Sequence, residues 1–179
     1  MTELLQTSRF LLRPFSIEDA QNLFDLDMDP RVHRYLGKHT VETLDQSQKI
    51  LEDILQQYDR NGIGRWVIQD KETGSFIGWS GLKLEHEDGI GSYFDIGYRL
   101  KPEFWGQGIG METANKWLKY GFEELDLPEI VGVAHIGNQA SNKILRKIGL
   151  KYRKHHYWED MMCNWYSLTS EEYKEIKNS

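Results

Sequence analysis

Three glycines at alternate positions, Gly106, Gly108 and Gly110, stand where a strand-like run, Tyr93-Phe-Asp-Ile-Gly-Tyr-Arg-Leu100, gives way to a helix-like one. Backbone without side chains lets a ligand approach closely. The first N–H groups of a helix have no intrahelical partner and carry partial positive charge. A bare loop that opens onto a helix therefore suits a diphosphate. Further along, Asn138, Ser141 and Asn142 are spaced i, i+3 and i+4, so one helical face presents two amides and a hydroxyl. Asn138 is also a good N-cap for that helix. Glu85, His86, Glu87 and Asp95 precede or begin the strand of the first motif, where a carboxylate can take a proton from an attacking group. Asp95 is the foremost of them, because a strand fixes its direction.

Two familiar diphosphate loops do not match. A dinucleotide fingerprint needs Gly-x-Gly-x-x-Gly after an early strand, with an acidic residue about twenty positions later. Counted from Gly106, its third glycine falls on Met111, and the loop lies past the middle of the chain. A P-loop ends in Gly-Lys followed by Ser or Thr, and none follows here.

The elements that must carry these residues are legible from periodicity. Arg9 to Arg13 reads as a first strand closed by Pro14, and Ser16 with Asp19 as the start of a helix running to about Met28. Leu44, Ile50, Leu51, Ile54 and Leu55 have helical spacing between Thr43 and Tyr58. Arg65 to Gln69 and Ser75 to Leu84 read as paired strands, and Glu85 to Gly91 as a polar loop. After the glycine loop a long helix buries Ala114, Trp117, Leu118, Gly121, Phe122 and Leu125, and Leu127-Pro128 ends it. Ile130 to Ile136 is a short apolar strand. Gly149 caps the second motif helix, and Leu150 to Trp158 with Met161 to Leu168 forms a closing hairpin turned at Glu159-Asp160. A short surface helix follows from Ser170. Antiparallel strands early and alternating strands and helices late imply an α/β, α+β-like architecture, with a mixed sheet and helices on both faces.

Bulk properties narrow the field. A chain of 179 residues with 39% apolar content is read as one globular domain, residues 1–179, with a substantial core. The net charge of −6 argues against general nucleic-acid binding. No apolar run approaches a bilayer-spanning length, and no signal peptide is expected ahead of the first strand. A single cysteine, Cys163, cannot form an internal disulfide, so the expected location is cytoplasmic. Cys163 lies in a final strand without an activating partner, which argues against a covalent intermediate on it. His155 and His156 with Glu159 and Asp160 look ligand-like, but neighbours on a strand point to opposite faces and cannot share one ion. No metal site is expected.

The segment Trp105-Gly-Gln-Gly-Ile-Gly-Met-Glu-Thr-Ala114, followed by Asn138-Gln-Ala-Ser-Asn142 and Lys147-Ile-Gly-Leu-Lys-Tyr152, resembles the GNAT superfamily of acetyl-CoA-dependent N-acyltransferases. Within it the match is best to the ribosomal-protein N-terminal acetyltransferase-like branch, whose opening Thr7 to Ala20 is also similar. The resemblance implies a mostly antiparallel sheet of about seven strands and acetyl-CoA as cofactor. It implies that the loop from Gln107 to Thr113 is the diphosphate anchor, through backbone N–H groups of Gln107, Gly108, Gly110 and Met111, with Glu112 in the same anchor. Gln107 departs from the Arg or Lys usual at that position. Tyr98 and Leu100 are implied to pair with the pantetheine arm, a backbone N–H near Gly97 to polarise the acetyl carbonyl, and Asn138, with Asn142 on its face, to contact the arm. Ser141 is the implied proton donor to the departing thiolate and Asp95 the proposed base.

The acceptor is implied to be a primary amine, either a protein N-terminus or a small molecule. It should sit between the two early helices and the final hairpin, near Tyr35, Trp79, Tyr157 and Trp165. A non-catalytic acyl-CoA sensor remains an alternative, as does a nucleotide-binding regulator. Pairing of the final strand in a homodimer is compatible with the sequence.

Overall fold

A computed structural model describes residues 4–37 and 39–179. Eight strands form one sheet: β1 (Leu5–Gln6), β2 (Phe10–Pro14), β3 (Arg65–Asp70), β4 (Phe76–Glu87), β5 (Gly91–Leu100), β6 (Glu129–His135), β7 (Lys151–Trp158) and β8 (Met161–Thr169). Their order is β1-β2-β3-β4-β5-β6-β8-β7. Every neighbouring pair is antiparallel except β5 and β6. Parallel strands need a crossover, and helix α3 (Ile109–Glu123) supplies it. The remaining helices are α1 (Ala20–Asp27), α2 (Leu44–Asn61), α4 (Gln139–Lys147) and α5 (Ser170–Asn178).

The period-2 alternation of strands divides the core in two. On β3, Trp66 and Ile68 pack with Leu82, Ile96, Ile130 and the α3 residues Ala114, Trp117 and Leu118. Val67, between them, points to the opposite face and packs with Leu23, Leu26 and Leu51 of α1 and α2. The caps agree with the helical pattern. Thr43 and Gln46 form a capping box for α2, and Gly62 closes it in the left-handed conformation.

Three details depart from the sequence reading. The eighth strand is β1, two residues paired with Leu11 and Leu12, too short to show a period. Glu85 to Glu87 are not loop: the β4–β5 ladder runs out to Glu87↔Gly91. An exposed hairpin needs no apolar alternation to keep its backbone paired. Leu125 lies beyond the end of α3 and is only half-buried.

Edge strand β7 is exposed at every residue except His156. It is tied down by Glu172 of α5, which pairs with Lys151 at 3.0 Å and Arg153 at 2.7 Å. The Thr169 N–H, which Glu172 accepts as part of the helix cap, and these two cations hold the Glu172 carboxyl down at about 2. A depressed carboxyl adds stability above its ordinary value and loses it as pH falls through the folded value. Glu172→Gln should therefore lower the urea midpoint at pH 6, and the gap to the parent should shrink as the pH is taken from 5 towards about 2.

Candidate active site

Strands β5 and β6 share one registered pair, Asp95↔Val131. Beyond it β5 continues to Leu100 paired only with β4, and β6 to His135 paired only with β8. A wedge opens between two strand edges whose backbone groups are free to bind something else. Both helices that follow these strands begin at its mouth, α3 after Leu100 and α4 after His135. Clefts at the carboxyl ends of diverging strands are where open α/β sheets bind ligands.

The α3 side of the mouth is a cradle of donors. Gly106 and Gly108 have φ of +74° and +75°, which only glycine adopts without strain. Glu112 N–H is the first to close a helical bond, onto Gly108 O at 3.0 Å. The N–H groups of Ile109, Gly110 and Met111 are left without intrahelical partners. Nothing lies within 4 Å of where a Gly106 side chain would start. Gly110 serves a different end: a Cβ there would meet the Tyr98 ring at 2.9 Å. Its bare face seats Tyr98, while its N–H still points out of the helix end. Trp105 anchors the loop by donating its indole N–H to Leu100 O at 2.9 Å.

Tyr98 and Ser141 meet across the wedge, their hydroxyl oxygens 3.2 Å apart. One belongs to β5 and the other to α4, 43 residues later. Burial raises the Tyr98 phenol above its ordinary value, opposed by the bond to Ser141, so it stays protonated at neutral pH. Asn138 Oδ1 accepts the Ser141 N–H at 3.2 Å and so caps α4. Leu100 is a core side chain whose carbonyl accepts the Trp105 indole N–H.

Two expected ligand contacts have their side chains engaged within the protein. Asn142 is buried, and its amide donates to His135 O at 2.9 Å and Asn138 O at 2.7 Å. Its Oδ1 accepts from Asn164 at 2.7 Å and from the Tyr166 hydroxyl at 2.8 Å. Two donors and two lone pairs exhaust a carboxamide, so Asn142 pins α4 to β6 and β8 and has nothing left for a cofactor. Glu112 is likewise committed. Its N–H goes to Gly108, and its carboxylate accepts from Ser8 Oγ at 3.0 Å, Arg9 N–H at 3.2 Å and Arg9 Nε at 2.7 Å. An ionised carboxylate only accepts, so it cannot hold a phosphate. The Gln107 side chain turns back to donate to Glu103 O at 3.0 Å, which leaves its backbone at the loop.

Asp95 stands at the apex of the wedge, on the sheet face opposite Tyr98. Arg65 binds its carboxylate through Nη2 and its carbonyl through Nη1 at 2.8 Å. Burial raises the Asp95 carboxyl above its ordinary value, and the charge and hydrogen bond of Arg65 offset only part of that rise. The same face carries Trp79, with the Arg65 and Arg99 guanidinium groups 5.2 and 5.1 Å from its ring. Arg99 pairs with buried Asp27 at 2.6 Å. Tyr93 stacks edge-on against Trp165 at 4.7 Å, and His156 does so from another side at 5.0 Å. Tyr35, in the α1–α2 connection, covers His135 at 5.4 Å. Tyr157 is 64% exposed on the closing hairpin, away from this wall.

Arg65, Arg99 and Asp27 carried no local sequence signal. Their partners lie 30 and 72 residues away, and only the sheet register brings them together. Cys163 is buried and its thiol is pushed up by burial. Among the described residues, no group of three His, Cys, Asp or Glu side chains converges to hold a metal. No helix among them is long and apolar enough to cross a membrane.

Free amides at a helix end, beside an unpaired strand edge, fit an anionic ligand with an extended amide-bearing arm. Comparison with known proteins agrees with that chemistry. Residues 9–151 match the family model described as an acetyltransferase (GNAT) domain. An uncharacterized N-acetyltransferase, YoaA, of Bacillus subtilis (strain 168) is 32% identical over 155 residues, 84% of each chain. The FsC-acetyl coenzyme A-N(2)-transacetylase of Aspergillus fumigatus is 30% identical over 154 residues, 83% of this chain and 65% of that one. Among solved structures, the ribosomal L7/L12 alpha-N-protein acetyltransferase RimL in complex with coenzyme A superposes with a TM-score of 0.80. It covers 93% of this chain and 98% of its own, at 18% identity. The wedge, the glycine loop and these relatives together place the chain in the GNAT acetyltransferase family, as an acetyl-CoA N-acetyltransferase.

Proposed function

We propose that the chain moves the acetyl group of acetyl-CoA directly to a primary amine while both are bound at the β5–β6 wedge. The acceptor is a small-molecule amine or a protein N-terminal amine, the latter being the kind named for RimL. The observation that carries this reading is the Tyr98–Ser141 hydroxyl pair, which spans the wedge between the two helix N-termini.

Acetyl-CoA supplies an activated acetyl group and a thiolate leaving group. The chain's own residues do the rest. Amides of Gln107, Gly108, Ile109, Gly110 and Met111 hold the diphosphate. The open edge of β5 near Tyr98 aligns the arm by strand-like pairing, and the Asn138 side-chain N–H groups reach it from α4. Asp95, held by Arg65 at the apex, takes the proton of the incoming amine directly or through water. Ser141 presents a hydroxyl to the departing sulfur. A serine hydroxyl is a weak acid, and Tyr98, the stronger acid of the pair, makes up the proton behind it. The aromatic face of Trp79, Tyr93 and Trp165 receives the acceptor.

Steady-state kinetics with acetyl-CoA and a panel of polyamines and N-terminal peptides test the reading. Ser141→Ala and Tyr98→Phe should each lower kcat by roughly 10- to 100-fold with little change in the KM for acetyl-CoA. The double variant should be no worse than the poorer single one, because the two act as a unit. Tight acetyl-CoA binding without turnover on any amine would favour a sensor over an enzyme.

A further inference from the structure

The loop that should hold a diphosphate contains no cation. From Pro102 to Ala114 there is neither Lys nor Arg, and there are two glutamates, Glu103 and Glu112. Glu112 sits in the first turn of α3, within a few residues of the free N–H groups. An ionised carboxylate there opposes the anion that the helix end attracts. Burial raises the Glu112 carboxyl, but bonds from Thr7, Arg9 and Ser8 outweigh it and keep the group below its ordinary value, and so ionised.

The cation comes from elsewhere in the chain. Arg9, at the end of the connection into β2, lays its guanidinium along the loop. Nε and Nη2 both contact Glu112 Oε2 at 2.7 Å, and Nη2 donates to Gln107 O at 2.9 Å. Nη2 is also 3.8 Å from the point where a Gly108 side chain would begin. Nη1 makes no hydrogen bond among the described residues, and the side chain is 45% exposed, so the charge stays open to a ligand. The contact closes over 98 to 103 residues of chain, at a loop otherwise served only by backbone.

We infer that Arg9 is a cofactor-binding residue: it cancels the Glu112 charge and presents Nη1 to a phosphate oxygen of acetyl-CoA. This inference rests on the acetyl-CoA reading above. A guanidinium held on two sides is already oriented, so little entropy is lost when it meets the phosphate. Charge-assisted bonds of this kind are about twice as strong as neutral ones.

Calorimetric titration and kinetics with two thioesters test it. Acetyl-CoA carries the phosphates, whereas S-acetylpantetheine has the same thioester and arm without them. Arg9→Gln should raise the Kd for acetyl-CoA roughly tenfold at low salt, and Arg9→Lys should recover part of that loss. Adding Gln107→Arg to Arg9→Gln should restore binding by returning a cation to the loop. Adding Glu112→Gln should restore part of it by removing the opposing charge. The loss in kcat/KM for Arg9→Gln should be about tenfold larger with acetyl-CoA than with S-acetylpantetheine, and affinity should depend less on salt than in the parent.

Unchanged acetyl-CoA affinity in a folded Arg9→Gln protein would overturn the assignment. Equal losses with both thioesters would overturn it too, since they would mean that Arg9 only ties the N-terminal segment to α3. Failure of the parent to bind acetyl-CoA would instead remove the acetyltransferase reading itself.

Discussion

Gly108→Trp should bind acetyl-CoA at least about a hundredfold more weakly than the parent, a loss of roughly 2.7 kcal/mol, while remaining folded. Gly108 caps α3 at φ +75°, with only the Arg9 guanidinium near the space a side chain would enter. A non-glycine residue in that conformation costs about 1–2 kcal/mol, which lowers the melting midpoint of a chain this size by about 2–8 °C. The indole then lies over the N–H groups of residues 109–111, the donors meant for the diphosphate. Calorimetry and a thermal melt on the same preparation separate the two effects. Retained binding would show that the diphosphate is held somewhere other than this helix end. An unfolded variant would be replaced by Gly108→Ala, which keeps the strain without the cover and should bind nearly as well as the parent.

Trp117→Ala should destabilise the fold by about 3–5 kcal/mol in urea titrations, the largest loss expected for one side chain in this protein. Trp117 is fully buried beneath the sheet. It meets Trp66 edge-on at 5.2 Å and Tyr120 at 5.7 Å, and its indole N–H donates to Ser80 Oγ at 2.9 Å. Removing it leaves a cavity and an orphaned hydroxyl, since Ser80 is itself fully buried. Trp117→Phe should fall between the two, because it keeps the ring packing and still orphans Ser80. Equal stability of parent and alanine variant would mean that α3 is held chiefly by other contacts.

The parts of the fold that repeat locally were readable in the sequence. The spacing of Ala114, Trp117, Leu118 and Phe122 marks the buried stripe of α3, and all four are buried. Asn138 as a cap and Glu159-Asp160 as a hairpin turn follow from side-chain chemistry, and both turn residues have positive φ. What periodicity could not carry was anything that depends on register between distant strands. Ser141 and the Tyr98 strand were legible as motifs, but not that their hydroxyls touch. Asn142 sat on the expected face, yet nothing near it in sequence announced that Asn164 and Tyr166 would exhaust its bonding. Arg9 looked like an ordinary strand residue until the start of β2 was laid beside the first turn of α3.

The single pair Asp95↔Val131 is all the ladder that joins strands β1 to β5 with strands β6, β8 and β7. The sheet is therefore two antiparallel ribbons stitched at one point, with α3 laced from one to the other. The glycine loop lies on that lacing, Tyr98 on one ribbon and Ser141 on the helix leaving the other. A molecule that fills the seam touches both ribbons and their tie at once, so occupancy and the angle between the ribbons are coupled by geometry alone.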